Sequence, residues 1–430
     1  MKPRSWRDQV LDHLAPTPQE DDRVQGLATT LLDAVQRVLR EQGWEGTPRI
    51  EGSVAKGTYL TGQADLDVFV AFPPETPRKA LEERVLVLGE VLDDAVVAYA
   101  EHPYVQGTWR GTDAEIVPCY DLDDPAQLRS AVDRTPFHTA WVKDRITDAQ
   151  REDVRLFKAM LSACNAYGAE ESVLGFSGYL AELTILRFGD LDGVLDWVLA
   201  GFPHPIAMDH EPDPDVLEGF ADDLVLLDPV DPTRNVAAAC SRRTLQRVRE
   251  AAAAFRADRG ARFFEPSPAP TLTRERAEQI LEARGTRLLA LGLPVPPETL
   301  EEALHAQLRR ATRLLTDALE RDQVPVAGAA LHMSADEAGA PAQAWGLVEA
   351  RDDALDRPLH HEGPPVSAGE HAERFREKWE GSEQAAGPVR EQDGRWVVPR
   401  NRSVTTLAGI TEPLLKEAKA GKVVDHAMEQ

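Results

Sequence analysis

Apolar positions recur at helical spacing over residues 16–42, where Val24, Leu27, Leu31, Val35 and Val38 share one face and Gly43 supplies a stop. The period then changes. Residues 48–52 and 65–72 read as strands, and between them Gly52-Ser53-Val54-Ala55-Lys56-Gly57-Thr58 reads as a tight Gly-Ser turn opening a short helix. Pro73-Pro74 ends the second strand, 77–100 reads as helix, and strands near 103–110 and 112–119 meet through Arg110-Gly111-Thr112. This pattern predicts a small sheet covered by helices.

From about 125 to 260 the pattern is mainly helical. The predicted helices are 136–146, 148–166, 176–188 and 235–257, the last with Ala237, Cys240, Leu245 and Val248 on its apolar side. The acidic, Pro-rich segment 202–214 reads as loop. The Pro-rich stretch Phe263-Phe264-Glu265-Pro266-Ser267-Pro268-Ala269-Pro270 predicts a domain boundary. Beyond it the pattern gives a helix at 273–284, a strand at 287–293 and a long helix near 299–321 carrying Leu300, Leu304, Leu308, Leu315 and Leu319. Strands near 324–333 and 342–350, a loop at 352–368, a helix at 369–379, a strand at 395–399 and a last helix complete it. The expected class is a multidomain α+β protein.

Asp65 and Asp67 lie two apart on a predicted strand, so they point to the same face. Two such carboxylates can hold a pair of Mg²⁺ ions for in-line phosphoryl chemistry. An Asp-x-Asp alone fits a solvated edge pair just as well. The Gly-Ser turn twelve residues earlier changes the balance, because its backbone N–H groups and helix start can receive a triphosphate. Together they predict transfer of a nucleotide from a nucleoside triphosphate to an acceptor hydroxyl. A third carboxylate is expected from a neighbouring strand. Asp113 and Glu115 both qualify; one binds the metal that acidifies the acceptor hydroxyl, and the other is a surface acid.

The 430 residues suffice for about three domains. No apolar run approaches the roughly 18 residues of a membrane span, and the N-terminus has no apolar signal region. Cys119, Cys164 and Cys240 lack metal-ligand spacing and read as reduced thiols of a cytoplasmic protein. The net charge of −25 runs against nucleic-acid binding. Its distribution softens this: residues 188–233 hold no Lys or Arg, whereas Arg242, Arg243, Arg247, Arg249, Arg256, Arg259 and Arg262 follow closely. That stretch reads either as a basic footprint for nucleic acid or as a solvated helix face.

These residues resemble the archaeal-type (class I) CCA-adding enzymes, the tRNA nucleotidyltransferases of the DNA polymerase β superfamily. The resemblance rests on Gly52–Phe72, on Glu101-His102-Pro103-Tyr104-Val105 with Ile116–Tyr120, and on Arg134-Thr135-Pro136-Phe137-His138. It continues through Tyr167-Gly168-Ala169-Glu170 with Gly175–Tyr179 and through Asp228–Ala238. It implies a polymerase-β-like catalytic head at 1–147, a helical nucleotide-binding neck at 148–259, an α/β body at 260–298 and 369–430, and a tail at 299–368. Body and tail would grip the tRNA acceptor stem and T-arm by shape and backbone. The implied reaction adds C, C and A from CTP and ATP to the tRNA 3′ end with two Mg²⁺ ions and no template. A poly(A) polymerase, another RNA terminal nucleotidyltransferase, a partial CC- or A-adding enzyme and a catalytically silent RNA-binding partner are the alternatives. A homodimer stays open, with no interface located and no membrane partner.

Carried over by position, Asp65 and Asp67 match the metal pair. Glu115 stands where the family usually has Asp and is favoured over Asp113 by its place before Pro118. Gly52 and Ser53 match the phosphate-binding turn, and Lys56 stands where the family often has Arg, a point charge without a fork. His138, Lys158 and Tyr167 match residues that contact the nucleotide. Arg234 matches the arginine that reads the Watson–Crick edge of the incoming base. Thr135 would cap a helix starting at Pro136 or touch the nucleotide, and Asp231 would orient Arg234 or cap the following helix. The acid excess and scarcity of lysine fit a salt-rich cytoplasm. Activity is therefore expected to rise in molar KCl, and inhibition there in a titration of initial rate would remove that reading.

Overall fold

The computed structural model describes residues 5–99, 102–209, 211–266, 272–295, 301–335, 341–351, 353–407 and 409–410. The chain forms two compact units, Met1–Pro268 and Ala269–Gln430.

In the first unit, α1 (Trp6–Leu14) starts from a Ser5/Asp8 capping box, and α2 (Pro18–Glu41) starts from Thr17 with proline at its first turn. Then come β1 (Thr47–Ile50), the one-turn α3 (Gly52–Lys56), β2 (Leu66–Phe72), α4 (Arg78–Gly89), β3 (Asp93–Tyr99), β4 (Pro103–Trp109) and β5 (Thr112–Tyr120). The sheet order is β1-β2-β5-β4-β3. Only β2 and β5 run parallel, and their register sets Asp67 beside Glu115. Leu31, Val35 and Leu39 of α2 and Leu81, Val85 and Leu88 of α4 form one core with Val68, Val70 and Ile116 of the sheet.

The predicted helix 77–100 is corrected. It ends at Gly89, and Asp93–Tyr99 is an edge strand paired with β4. Gly89 is its last residue, where the backbone packs closely on Val105, and the β-branched Val96-Val97 pair beyond it favours extended chain. Arg110 and Gly111 both take positive φ, 51° and 78°, which closes the β4–β5 hairpin.

The rest of this unit holds α5 (Arg134–Lys143), α6 (Asp148–Ala163), α7 (Gly178–Phe188), α8 (Leu191–Leu199), the short α9 (Pro214–Glu218) and α10 (Arg242–Ala257). Phe157, Phe176, Leu180, Leu183, Val194 and Phe255 lie in a second core. Trp6 joins α1 to it, edge-on to Phe255 and stacked on Phe264. Two further corrections follow. Thr135 lies inside the first turn of α5, behind Asp133, so it is not the cap. The helix expected from Asn235 begins at Arg242 behind the Ser241 cap. Asn235 instead folds a turn: its Oδ1 accepts from Leu226 and Ala237 N–H, and its Nδ2 donates to the Leu224 carbonyl.

The second unit contains α11 (Arg274–Arg284), β6 (Thr286–Pro294), α12 (Glu301–Arg321), β7 (Val326–Ala335), β8 (Pro341–Arg351), β9 (Leu359–Pro365), α13 (Glu370–Trp379), β10 (Arg390–Gln392) and β11 (Arg395–Arg400). Its sheets are β6-β8-β7 and β10-β11-β9. Leu304, Leu308, Leu315 and Leu319 of α12 are buried; Leu300 and residues 411–430, with the expected last helix, lie outside the described residues. The predicted loop 352–368 is corrected by β9, which pairs antiparallel with β11. Its glycine and prolines disguised it: Gly363 is held where a Cβ would stand 2.6 Å from the Phe375 ring. No helix among the described residues is long and apolar enough to cross a membrane.

The α4–β4 contact generates a test. A Cβ at Gly89 would stand 2.5 Å from both methyls of Val105. Gly89→Ala is therefore expected to destabilise by about 1–3 kcal/mol in urea unfolding, against the usual helix gain from alanine. Adding Val105→Ala should recover part of that loss; strict additivity would show that the contact is not the cause.

Candidate active site

Asp65 ends the loop before β2, Asp67 is the second residue of that strand, and Asp113 and Glu115 stand on the parallel neighbour β5. With Gln106 they line one open cleft of about 360 Å³. Gln106 Nε2 donates to Glu115 Oε1 at 2.6 Å. Burial, then the neighbouring Glu115 and Asp65 charges, push the Asp67 carboxyl up to about 7. Burial and Asp113 raise Asp65, and burial also raises Glu115 against the Gln106 hydrogen bond. Asp113 thus faces the same cleft and acts on Asp65, while Glu115 lies beside Asp67.

Like-charged oxygens crowded in this way are the donor set of a hard divalent cation. As placed, no three acid, imidazole or thiol side chains among the described residues are gathered around one point, and Glu115 is turned to Gln106. The raised carboxyls still fit a cation, because only added positive charge relieves their repulsion.

Gly52 brings the turn against this cleft. Its φ is +66°, and a Cβ there would stand 1.7 Å from Asp67 Oδ2. The Glu51 N–H also donates to the Asp67 carbonyl at 2.9 Å. Ser53 follows in the one-turn α3, half-buried.

Lys56 and Lys158, expected to meet phosphate, are brought together inside the protein. Lys56 Nζ lies 2.6 Å from Glu182 Oε2, and Thr58 Oγ1 donates to Glu182 Oε1 at 2.5 Å. Lys158 Nζ donates to the Thr58 carbonyl at 3.0 Å and stands 3.7 Å from Glu182 Oε1. Lys56, expected as a point charge for phosphate, is held in a buried ion pair with Glu182. The same face of α6 clasps the turn: Arg151 Nε donates to the Lys56 carbonyl, and Arg155 donates to those of Gly57 and Tyr59. Tyr167 is half-buried; burial, then the Glu182 and Asp65 charges, push its phenol up, which places it between the lysine cluster and the cleft.

A second hub is Asp228, fully buried. It accepts from His138 Nε2 at 2.8 Å, Arg234 Nη1 at 2.9 Å, the Val230 N–H at 3.0 Å and the Tyr179 hydroxyl at 3.3 Å. Burial pushes its carboxyl up, but these donors outweigh it and hold it below the usual range. Burial lowers His138 and Asp228 opposes that shift; Nε2 faces an acceptor-only carboxylate. His138 stacks on Tyr179 with centroids 4.1 Å apart. Arg234 is therefore oriented by Asp228. Asp231 pairs with Arg134 at 3.2 Å and accepts from Thr233, so it neither orients Arg234 through its carboxylate nor caps a helix.

The sequence reading missed Glu182, Asp228 and Gln106. Glu182 had a signal, as the one charge within Leu180–Leu186; Asp228 heads its block, where weight fell on Asp231 and Arg234. The basic stretch on α10 is largely neutralised. Arg242 pairs with Asp223, Arg256 with Asp192 and Asp196, Arg259 with Asp192, and Arg262 with Asp258.

A five-stranded sheet carrying a carboxylate cleft beside a glycine turn defines a nucleotidyltransferase, and residues 36–138 match the nucleotidyltransferase domain family. Residues 152–265 match the family "tRNA nucleotidyltransferase, second domain", and 284–430 match "CCA-adding enzyme, C-terminal domain". The CCA-adding enzyme of Haloarcula marismortui is 35% identical over 427 residues, covering 96% of this chain and 90% of its own length. That of Methanothermobacter thermautotrophicus is 38% identical over 381 residues, covering 86% and 81%. A solved structure of Cid1, an RNA terminal uridylyl transferase, aligns with a TM-score of 0.48 and 14% identity over 62% of this chain and 98% of that chain. The chain belongs to the CCA-adding enzyme family.

Two outcomes test the cleft. Gly52→Ala should cost about 100-fold in nucleotide incorporation through displacement of Asp67, with the circular dichroism spectrum retained. Asp67→Asn should abolish incorporation yet raise the melting temperature in EDTA at alkaline pH. A carboxyl raised from 3.8 to about 7 on folding weakens the fold as pH rises, with no cost below the lower value and the full cost above the upper. The stabilisation should therefore vanish towards about pH 4; a pH-independent difference would contradict a buried charge at Asp67.

Proposed function

We propose that this chain adds C, C and A in turn to the 3′ end of tRNA from CTP and ATP, without a template, and restores truncated ends in the cytoplasm. The observation that carries the reading is the Asp67 carboxylate, packed against Gly52 and crowded by Asp65 and Glu115, in a chain of the CCA-adding enzyme family. Two Mg²⁺ ions held by Asp65, Asp67 and Glu115 would neutralise the transferring phosphate and acidify the acceptor 3′-hydroxyl.

The protein groups do the rest. Gly52 and Ser53 receive the triphosphate beside the cleft, and Lys56 and Lys158 supply positive charge behind that turn. Asp228 anchors the His138 ring through Nε2 and fixes one nitrogen of Arg234. The remaining Arg234 donors, on a side chain 37% exposed, can reach O2 and N3 of cytosine or N1 of adenine. A guanidinium has no acceptor, so the choice between the two bases falls to the growing RNA end resizing the pocket. The second unit is assigned to the tRNA acceptor stem and T-arm, read by backbone and shape.

Radiolabelled CTP and ATP, singly and together with Mg²⁺, offered on tRNA ending at the discriminator base, at C and at CC, test this. Extension should halt at CC with CTP alone and finish when ATP is added, and Glu115→Gln and Asp65→Asn should each lose incorporation. Runs of A on unrelated RNA would give a poly(A) polymerase instead. Full activity of Asp65→Asn would refute the metal mechanism.

A further inference from the structure

Helix α7 carries a single charged residue within Leu180–Leu186, and that residue, Glu182, is fully buried. A carboxylate in such a core is costly unless it is compensated. Lys56 and Thr58 come to it from the head side of the turn, and Lys158 from α6. The side chains of Lys56 and Lys158 are 8% and 3% exposed. Two ammonium groups thus share one carboxylate, and the cluster keeps a surplus positive charge. Lys56 also pulls down the carboxyls of Asp67 in the cleft and of Glu51.

We infer that Glu182 is a positioning residue for the nucleotide, tying Lys56 and Lys158 into one cation pair whose surplus charge meets the triphosphate. The inference rests on the nucleotidyl-transfer reading of the cleft. Glu182 touches no reacting atom. Its carboxylate lets two buried ammonium groups stay charged side by side, and its bond to Thr58 fixes the turn to which Lys158 is also bound. Burial lowers Lys158 to about 8; Glu182 opposes that, while Lys56 and Arg155 add to it. Without Glu182 one lysine loses its proton, and the phosphates lose one charged partner.

The test uses the full chain, tRNA ending at CC and varied ATP with saturating Mg²⁺. Glu182→Gln should raise KM for ATP by about tenfold, the worth of one charge-assisted hydrogen bond, with kcat nearly unchanged. The rise should be largest below about pH 8 and shrink above it, where Lys158 of wild type loses its proton as well. Glu182→Asp, one methylene shorter but charged, should fall between. A merely structural role would lower the melting temperature and kcat and leave KM alone. An unchanged or lowered KM in folded Glu182→Gln overturns the inference; if that variant does not fold, a wild-type KM in Glu182→Asp does so. Wild type that adds no A would instead sink the transfer reading itself.

Discussion

The parallel pairing of β2 with β5 is the constraint on which the site depends. Antiparallel neighbours surround that pair, yet it alone sets Asp67 beside Glu115 and brings Asp113 next to Asp65. The register is fixed by the core behind it, because a slip of one residue would turn Val68, Val70 and Ile116 out of the packed face. Apolar burial on one side of the sheet therefore forces carboxylates together on the other. The raised carboxyls measure the electrostatic cost of that arrangement, which a cation would relieve.

The opposite charge is gathered a few residues away by a different device. Arg151, Arg155 and Lys158 lie on one face of α6, at i, i+4 and i+7, and donate to the four consecutive carbonyls of Lys56, Gly57, Thr58 and Tyr59. The Gly-Ser turn is thus held by the helical part of the same unit. Glu182 and Asp228 each gather several donors there, so Lys56, Lys158, His138 and Arg234 are positioned by buried acids. Such hubs are strongly destabilising to break, since removing one partner leaves the others buried and unpaired.

Some of the fold was legible from local pattern and some was not. The helix over 16–42, the strand carrying Asp67, and the β4–β5 hairpin were readable because their signals are short-range: apolar period, a glycine turn, a paired dipeptide. The stretch 90–99 was not, because β3 is an exposed edge strand with little apolar alternation, and its partner β4 lies beyond it. β9 was hidden for a similar reason, since its identity rests on β11, some thirty positions later. The start of α10 was misplaced because Asn235 builds a turn with Leu224 and Leu226, contacts that helical periodicity does not register.

By itself the sequence pointed to the chemistry, because a Gly-Ser turn followed by two carboxylates two residues apart is a pattern that nucleotide transfer can use. Tertiary structure decided which side chains cooperate. Asp113 and Glu115 differed in the sequence only by their place relative to Pro118, and the β2–β5 register sets Glu115 beside Asp67. The partner of Lys56 was not visible in the sequence, because Glu182, which folding sets against its ammonium, lies 126 positions away. Asp231 lost the Arg234 side chain to Asp228 because the chain turns between them. Local spacing fixes what a residue can do, whereas its partner, and so its charge and direction, is set by contacts between segments distant in the chain.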